Sequence, residues 1–327
     1  MRQAAIIRRI VLALVAVLMI PLSAHAQAWP TRQPIIFKIP YPPGGASDVT
    51  ARILGAKLSE SLGTAVVIDN RPGANGIIAL ESTAKAAPDG YTILMANLGP
   101  NAINAVVYKN LPFDPINSFA PITLTTIVPQ IMVVTPSLPI RSVQELIAYA
   151  KANPGKLTFA SAGVGSSNHL SGELFNAMAG IKMLHVPYKG DAPGMIDVMS
   201  GAVSVALPTV IAALPSIKSG RLRAIAVTSA KRIPSLPDLP TVAESGVPGY
   251  ESVSWGGVMA PAGTPPVIIN RLNAEINRIL KLPDVAEKLS SFGAQIVGST
   301  PEEFAAYLKA EIAKWGKVAR DNNIKLD

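Results

Sequence analysis

Two short stretches of the 327-residue chain place glycine beside hydroxyl and amide groups where a strand pattern gives way to a helix pattern. The first is Tyr41-Pro42-Pro43-Gly44-Gly45-Ala46-Ser47-Asp48. The second is Ser161-Ala162-Gly163-Val164-Gly165-Ser166-Ser167-Asn168-His169. Glycine lets a backbone approach a ligand closely. The first turn of a helix carries N–H groups without intrahelical acceptors, at the positive end of the helix dipole. Serine hydroxyls add donors, so such a turn can hold an anion with no cationic side chain. Two of these turns facing each other suit a small carboxylate or dicarboxylate. Asp48 runs against this, because a carboxylate repels an anion. It can cap its own helix, pair with Arg52 at helical spacing, or meet a ligand amino group. A third turn, Tyr188-Lys189-Gly190-Asp191, follows a later strand and is placed to line the rim of the same cleft.

Other chemistry is poorly supported. The chain has no cysteine, which removes disulfides, thiolate metal sites and thiol catalysis. Beyond His25, only His169 and His185 are present. Ser166 and His169 lie three apart at a helix start, but the residues around Ser166 are not a G-x-S-x-G elbow, and no acid is placed to orient the imidazole. His169 is expected to hydrogen-bond within its loop or to ligand, and His185 to be structural. Gly163-x-Gly165 lacks the third glycine of a dinucleotide fingerprint, since Asn168 stands there. The sequence therefore predicts a binding protein and not an enzyme, with no cofactor and no metal.

The elements that must position these turns alternate between strand and helix patterns, an α/β chain with largely parallel sheets. Ile35–Ile39 reads as a strand, with Ser47 as the cap of a helix that stops at Gly63. Strands follow near 65–68 and 92–96, around a helix from Ile77 to Ala86. The stretch 119–135 is too long for one ordinary strand, and it carries the chain into a second lobe. There, strands near 157–160, 184–187, 203–207 and 224–228 surround helices near 143–153, 168–179 and 193–200. Residues 252–260 make the return crossing, and the C-terminus is helical, opened by the capping box Thr300-Pro301-Glu302-Glu303. Two α/β lobes joined by two crossover strands result, with 27–125 and 250–327 in the first and 126–249 in the second. They form a hinged cleft suited to closing around a ligand.

Residues 1–26 read as a cleaved signal peptide. Arg2, Arg8 and Arg9 precede the apolar run Ile10–Ile20, and Ala24-His25-Ala26 is a cleavage site. Eleven apolar residues are too few for a bilayer span, which needs roughly 20. Removing those three arginines takes the formal net charge from +8 to +5. The remaining lysines and arginines are scattered, so no nucleic-acid face is expected. The mature chain, about 27–327, is expected to be soluble and exported, as a monomer.

The order of motifs adds a resemblance that covers essentially the whole mature chain. Tyr41-Pro42-Pro43-Gly44-Gly45-x-x-Asp48, Asn70-Arg71-Pro72-Gly73-Ala74, Pro88-Asp89-Gly90-Tyr91, Ser161-x-Gly163-x-Gly165-Ser166-x-x-His169, Val186-Pro187-Tyr188-Lys189-Gly190 and Pro240-Thr241-x-x-Glu244-x-Gly246 follow the signal peptide in that order. This resembles the Bug (Bordetella uptake gene) or TctC family, periplasmic solute-binding proteins of tripartite tricarboxylate transporters. The resemblance implies a two-lobe periplasmic-binding-protein fold of the Venus-flytrap, type II-like kind. It implies capture of a small carboxylate (an organic acid, an aromatic acid or an acidic amino acid) and delivery to membrane permease subunits. The same cleft would also serve a periplasmic sensing component. Carried over, the ligand-binding positions are Tyr41, Gly45, Ala46, Ser47 and Asp48, then Ser161, Gly165, Ser166 and His169, with Tyr188 and Asp191 beside them.

Overall fold

The computed structural model describes residues 29–291 and 293–321. The signal peptide expected over 1–26 lies outside the described residues. In chain order the elements are β1 (Ile35–Ile39), α1 (Ala46–Leu62), β2 (Val66–Asn70), α2 (Ile77–Ala84), β3 (Thr92–Asn97) and, after a wide π-type turn over Leu98–Ile103, the short α3 (Asn104–Val107). Then come β4 (Phe119–Pro129), β5 (Ile131–Val134), α4 (Val143–Ala152), β6 (Thr158–Ser161), α5 (Ser167–Ala179), β7 (Leu184–Pro187), α6 (Asp191–Ser200), β8 (Val205–Ala206), α7 (Val210–Lys218) and β9 (Arg223–Val227). The chain finishes with β10 (Val253–Pro261), α8 (Pro266–Leu280), α9 (Pro283–Ser291), β11 (Gln295–Ile296) and α10 (Pro301–Asp321).

The strands form two sheets, one per lobe, in the orders β11-β4-β10-β3-β1-β2 and β7-β6-β8-β5-β9. The molecule is an α/β protein of two lobes. Both sheets are mixed, where the sequence pattern predicts largely parallel ones. The three-stranded halves β2-β1-β3 and β7-β6-β8 are parallel, as strand–helix–strand units require. The long strands that carry the chain between lobes run in opposite senses, one leaving and one returning, so β10 pairs antiparallel with β3 and β4. For the same reason β5, which continues β4, lies antiparallel to β8 and β9.

The two crossings meet at a buried polar knot. Thr228 donates from both its amide and its hydroxyl to the Gln130 carbonyl, each at 3.0 Å, and its hydroxyl accepts from the Gln130 amide at 2.9 Å. The Ser252 amide donates to the Thr228 carbonyl at 2.9 Å. The Gln130 side chain accepts from the Ser171 and Ser252 hydroxyls, and its amide donates to Ser167 Oγ at 3.3 Å. Gln130, Ser171, Thr228 and Ser252 are fully buried. The point where the chain changes lobe is thus tied to the first turn of α5.

Local signals explain several element ends. Ser142 Oγ caps α4 by accepting from the Glu145 amide. Thr300 and Glu303 bond each other's amides in a reciprocal capping box. Gly63 ends α1 in the left-handed conformation. Helix α7 has no clear sequence signal, because Pro215 sits inside it and breaks the usual pattern. Ser47, expected as the cap of α1, instead lies inside the helix, and Gly45 is the residue at the cap. Asp48, at the third helical position, accepts from the Gly44 amide at 3.0 Å and fixes the turn in its place.

Helix α5 reaches the cleft because Gly172 lets it sit against β6. A Cβ at Gly172 would lie 2.3 Å from Phe159 Cε2, and the Phe159 ring is fully buried. Gly172→Ala gains roughly 1 kcal/mol of helix propensity, but overpacking a core contact costs about 1–3 kcal/mol. The expected net effect is a loss of stability, read as a lower midpoint in urea or guanidinium denaturation.

Candidate functional site

The lobes enclose a cleft of about 680 Å3, part of it open to solvent. Three helix starts converge on it: α1 through Gly45, Ala46 and Ser47, α5 through Ser167 and Asn168, and α6 through Gly190, Asp191 and Ala192. Thr126, Val128, Ser254, Trp255 and Gly256 of the crossover strands line it as well. No lysine or arginine is among the lining residues. The free first-turn amides are therefore the source of positive potential.

Tyr41 lines this cleft and also an adjoining cavity that it shares with Tyr188, Lys189 and Val164. Its hydroxyl donates to Asn75 Oδ1 at 3.1 Å. Asn75 is held in turn by Asn104, donating to its Oδ1 at 2.8 Å and accepting at its own carbonyl at 3.1 Å. The loop carrying Asn75 has four successive residues at positive φ, Gly73, Ala74, Asn75 and Gly76. Two of these are not glycine, and such backbone costs of order 1–3 kcal/mol each, as is found where a site over-determines its scaffold. Burial, and next the Asp191 charge, push the Tyr41 phenol pKa up. Ser47 Oγ donates to Asn97 Oδ1 at 3.0 Å at the end of β3, so a buried polar pair backs the α1 turn.

The walls touch where side chains are absent. A Cβ at Gly99 would stand 3.2 Å from Ser166 Cα and 3.1 Å from Tyr41 Oη, and one at Gly190 would stand 2.9 Å from Pro42 Cδ.

Of the residues singled out from sequence, Tyr41, Gly45, Ala46, Ser47 and Asp191 line the cleft and Tyr188 lines the adjoining cavity. Asp48, Ser161, Gly165, Ser166 and His169 lie behind the walls. Asp48 pairs with Arg52 at 3.0 Å and accepts from Asn70 Nδ2 at 3.0 Å. Burial alone would raise its pKa, but the bonds from Arg52, Gly44 and Asn70 outweigh burial and hold it below the usual value. Ser166 Oγ caps α5 by accepting from the His169 amide at 3.3 Å. Ser161 Oγ accepts from the Gly163 amide, donates to the Gly163 carbonyl and lies 2.6 Å from His185 Nε2. His169 Nδ1 accepts from the Gly165 amide at 3.2 Å, and its ring stacks on His185 with centroids 3.9 Å apart. The second glycine loop is thus braced from beneath by two imidazoles.

Asn97, Asn168 and Thr209 escaped the sequence reading although they line the cleft. Asn168 was visible only within the second glycine–hydroxyl stretch and as the residue replacing a glycine. Thr209 precedes the unannounced helix α7, so only a Pro-Thr pair after a short apolar strand marked it. Asp191 accepts from Asn168 Nδ2 at 3.0 Å and from Thr209 Oγ1 at 3.4 Å. Burial pushes its pKa up to about 6 against a bond from the Thr209 amide and those two side-chain bonds, which pull it down.

Residues 50–324 match the profile of the tripartite tricarboxylate transporter family receptor, TctC. The chain belongs to this family. Protein BugT of Bordetella pertussis is 39% identical over 302 residues, covering 92% of each chain. Among solved structures, R. palustris Rpa4515 with adipate is 42% identical with a TM-score of 0.89, covering 91% of this chain and 99% of its own. MatC from Rhodopseudomonas palustris, with bound malate, is 30% identical with a TM-score of 0.84, covering 88% and 99%.

The imidazole pair is expected to make this TctC-family protein acid-sensitive. Burial lowers the His169 pKa to about 4; burial, and then the neighbouring His169, lower that of His185 to about 3. The neutral His169 ring makes no ion pair with Glu173, whose own pKa burial raises. The unfolded chain binds these protons at a higher pH than the folded one, so the stabilisation is fully present above the ordinary histidine value and is lost as pH falls toward 4. On the order of 3 kcal/mol from His169 alone is expected to disappear over that window. Urea denaturation at pH 7 and pH 4.5 checks it, and His169→Gln, which keeps an acceptor for Gly165, should flatten the dependence. Ser166→Ala should lower stability by about 1 kcal/mol through the lost helix cap, measured in the same way at pH 7.

Proposed function

We propose that this protein is a periplasmic, non-enzymatic binding protein that captures a small carboxylate between its lobes and delivers it to the membrane components of a tripartite tricarboxylate-type transporter. The observation that carries this reading is the convergence of three helix N-termini on a cleft without lysine or arginine. Unpaired amides fixed by the fold bind a carboxylate with little reorganisation. Family membership and the acids bound by two relatives, adipate and malate, support the same ligand class. Catalysis finds no support in the Ser166–His169 geometry, since the serine oxygen accepts from an amide and the imidazole Nδ1 accepts from Gly165.

In this reading the first wall carries Tyr41, Gly45, Ala46 and Ser47, and the second carries Asn168, Asp191 and Thr209. Ser161, Gly165, Ser166 and His169 shape the second wall from behind, and Asp48 holds the first turn closed by accepting from the Gly44 amide. Closing brings Gly99 against Ser166 and Pro42 against Gly190. The lobes pivot about the knot of Gln130, Thr228 and Ser252.

Ala46 offers a clean test. It is the first helical residue of α1, where proline is accepted, and Gly45 before it has φ −84° and ψ 172°, compatible with a following proline. Ala46→Pro deletes one amide donor facing the cleft and leaves the helix in place. A calorimetric screen of small carboxylates should find a ligand for the wild-type protein. Ala46→Pro should bind it about tenfold more weakly, the worth of one charge-assisted hydrogen bond, with an unchanged melting temperature. Equal affinity in the variant would count against the amide mechanism.

A further inference from the structure

Among the residues lining the interlobe cleft, Asp191 is the one acidic or basic side chain. It occupies the first position of α6, one of the three helix starts that converge there. The starts of α1 and α5 offer amides to a ligand. The first turn of α6 carries a carboxylate. That carboxylate accepts from Asn168 Nδ2 at 3.0 Å, from Thr209 Oγ1 at 3.4 Å and from the Thr209 amide, none of which carries a charge. Its other surroundings are the Tyr41 phenol from the opposite lobe and, behind it, Ala160, Met195 and Pro208. Lys189, two residues earlier, is exposed and does not line the cleft. The cleft therefore presents amide donors to an anion and, against the first turn of α5, an acceptor.

We propose that Asp191 sets the ligand class of this cleft: an aliphatic acid held by its carboxylate at the α1 and α5 amides, with a second group that gives Asp191 a hydrogen-bond donor. This rests on the carboxylate-binding reading above and narrows it. An ammonium or hydroxyl group satisfies Asp191 directly. A fully ionised dicarboxylate would set a second negative charge against it in a site short of water. Such a ligand binds only with one proton taken from solvent and shared between its second carboxylate and Asp191, so that the pair carries one charge instead of two. Burial, which pushes Asp191 up to about 6, makes that proton available under mildly acidic conditions.

The test uses two matched trios of acids on the intact mature protein: adipate, 6-hydroxyhexanoate and 6-aminohexanoate, then succinate, 4-hydroxybutyrate and 4-aminobutyrate. Isothermal titration at pH 7.5 should show the donor-ended members of the fitting trio binding about tenfold or more tighter than the dicarboxylate. The relative affinities of the hydroxyl and ammonium members identify which donor the site prefers. The dicarboxylate should gain about tenfold between pH 7.5 and 5.5. Heats in two buffers of different ionisation enthalpy should report uptake of close to one proton, a readout that needs no variant. Asp191→Asn should remove both the preference and the proton uptake. Dicarboxylate binding that is independent of pH, without proton uptake and unchanged in Asp191→Asn, overturns the role of Asp191 and leaves carboxylate capture standing. Failure of all six acids at both pH values overturns the ligand class assigned here, whereas binding in the broader screen above would still support the carboxylate reading.

Discussion

An α-helix leaves the amides of its first turn without partners, and the structure depends on where those amides are gathered. Three helix starts, from α1, α5 and α6, end at one seam between the lobes. Placed in a core, such donors would carry a desolvation penalty of about 1–3 kcal/mol each. Placed at a cleft, they are matched by water or by an anion. The donors belong to the main chain, so their position is set by the packing of each helix on its sheet and not by flexible side chains. That is why the contacts behind the walls matter as much as the cleft itself. Gly172 against Phe159 sets the depth of α5, the bond from the Gly44 amide to Asp48 closes the turn before α1, and the stacked imidazoles of His169 and His185 support the glycine loop.

The second constraint is connectivity. A chain that leaves one sheet and later returns to it must place two long strands side by side in opposite senses. Here β4 and β10 do so, and the knot of Gln130, Thr228 and Ser252 ties them where the chain changes lobe. Buried hydroxyls and one carboxamide fill this junction in place of an apolar plug. Each donor there has a defined acceptor, which fixes the register of the crossing. The link from Gln130 to Ser167 joins the pivot to a helix start that lines the cleft.

The legible parts of the fold were those governed by short-range chemistry. Ser142, Gly63 and the Thr300–Glu303 box mark helix ends through interactions spanning only a few residues, and the structure shows those bonds. Strand positions followed from apolar runs. Ser47 was misassigned as a cap because a serine before an apolar stripe has the same local signature whether its hydroxyl turns back to its own helix or outward. The decision came from Asn97, fifty residues away, which takes that hydroxyl. Helix α7 was hidden by Pro215. Gln130 carried no signal and Thr209 only a weak one, because their importance comes from partners on other elements.

The sequence by itself determined an α/β chain of two lobes, two glycine–hydroxyl turns at helix starts, and the family that this order of motifs resembles. These are periodicities and local caps, which a chain carries in its own neighbourhood. Only the tertiary structure decided which face of each turn meets the cleft. It placed Ser161, Ser166 and His169 behind the second wall as braces and brought Asp191, Asn168 and Thr209 together at its surface. The physical reason is that a side chain's role depends on which donor or acceptor reaches it first, and those groups arrive from strands and helices far away along the chain.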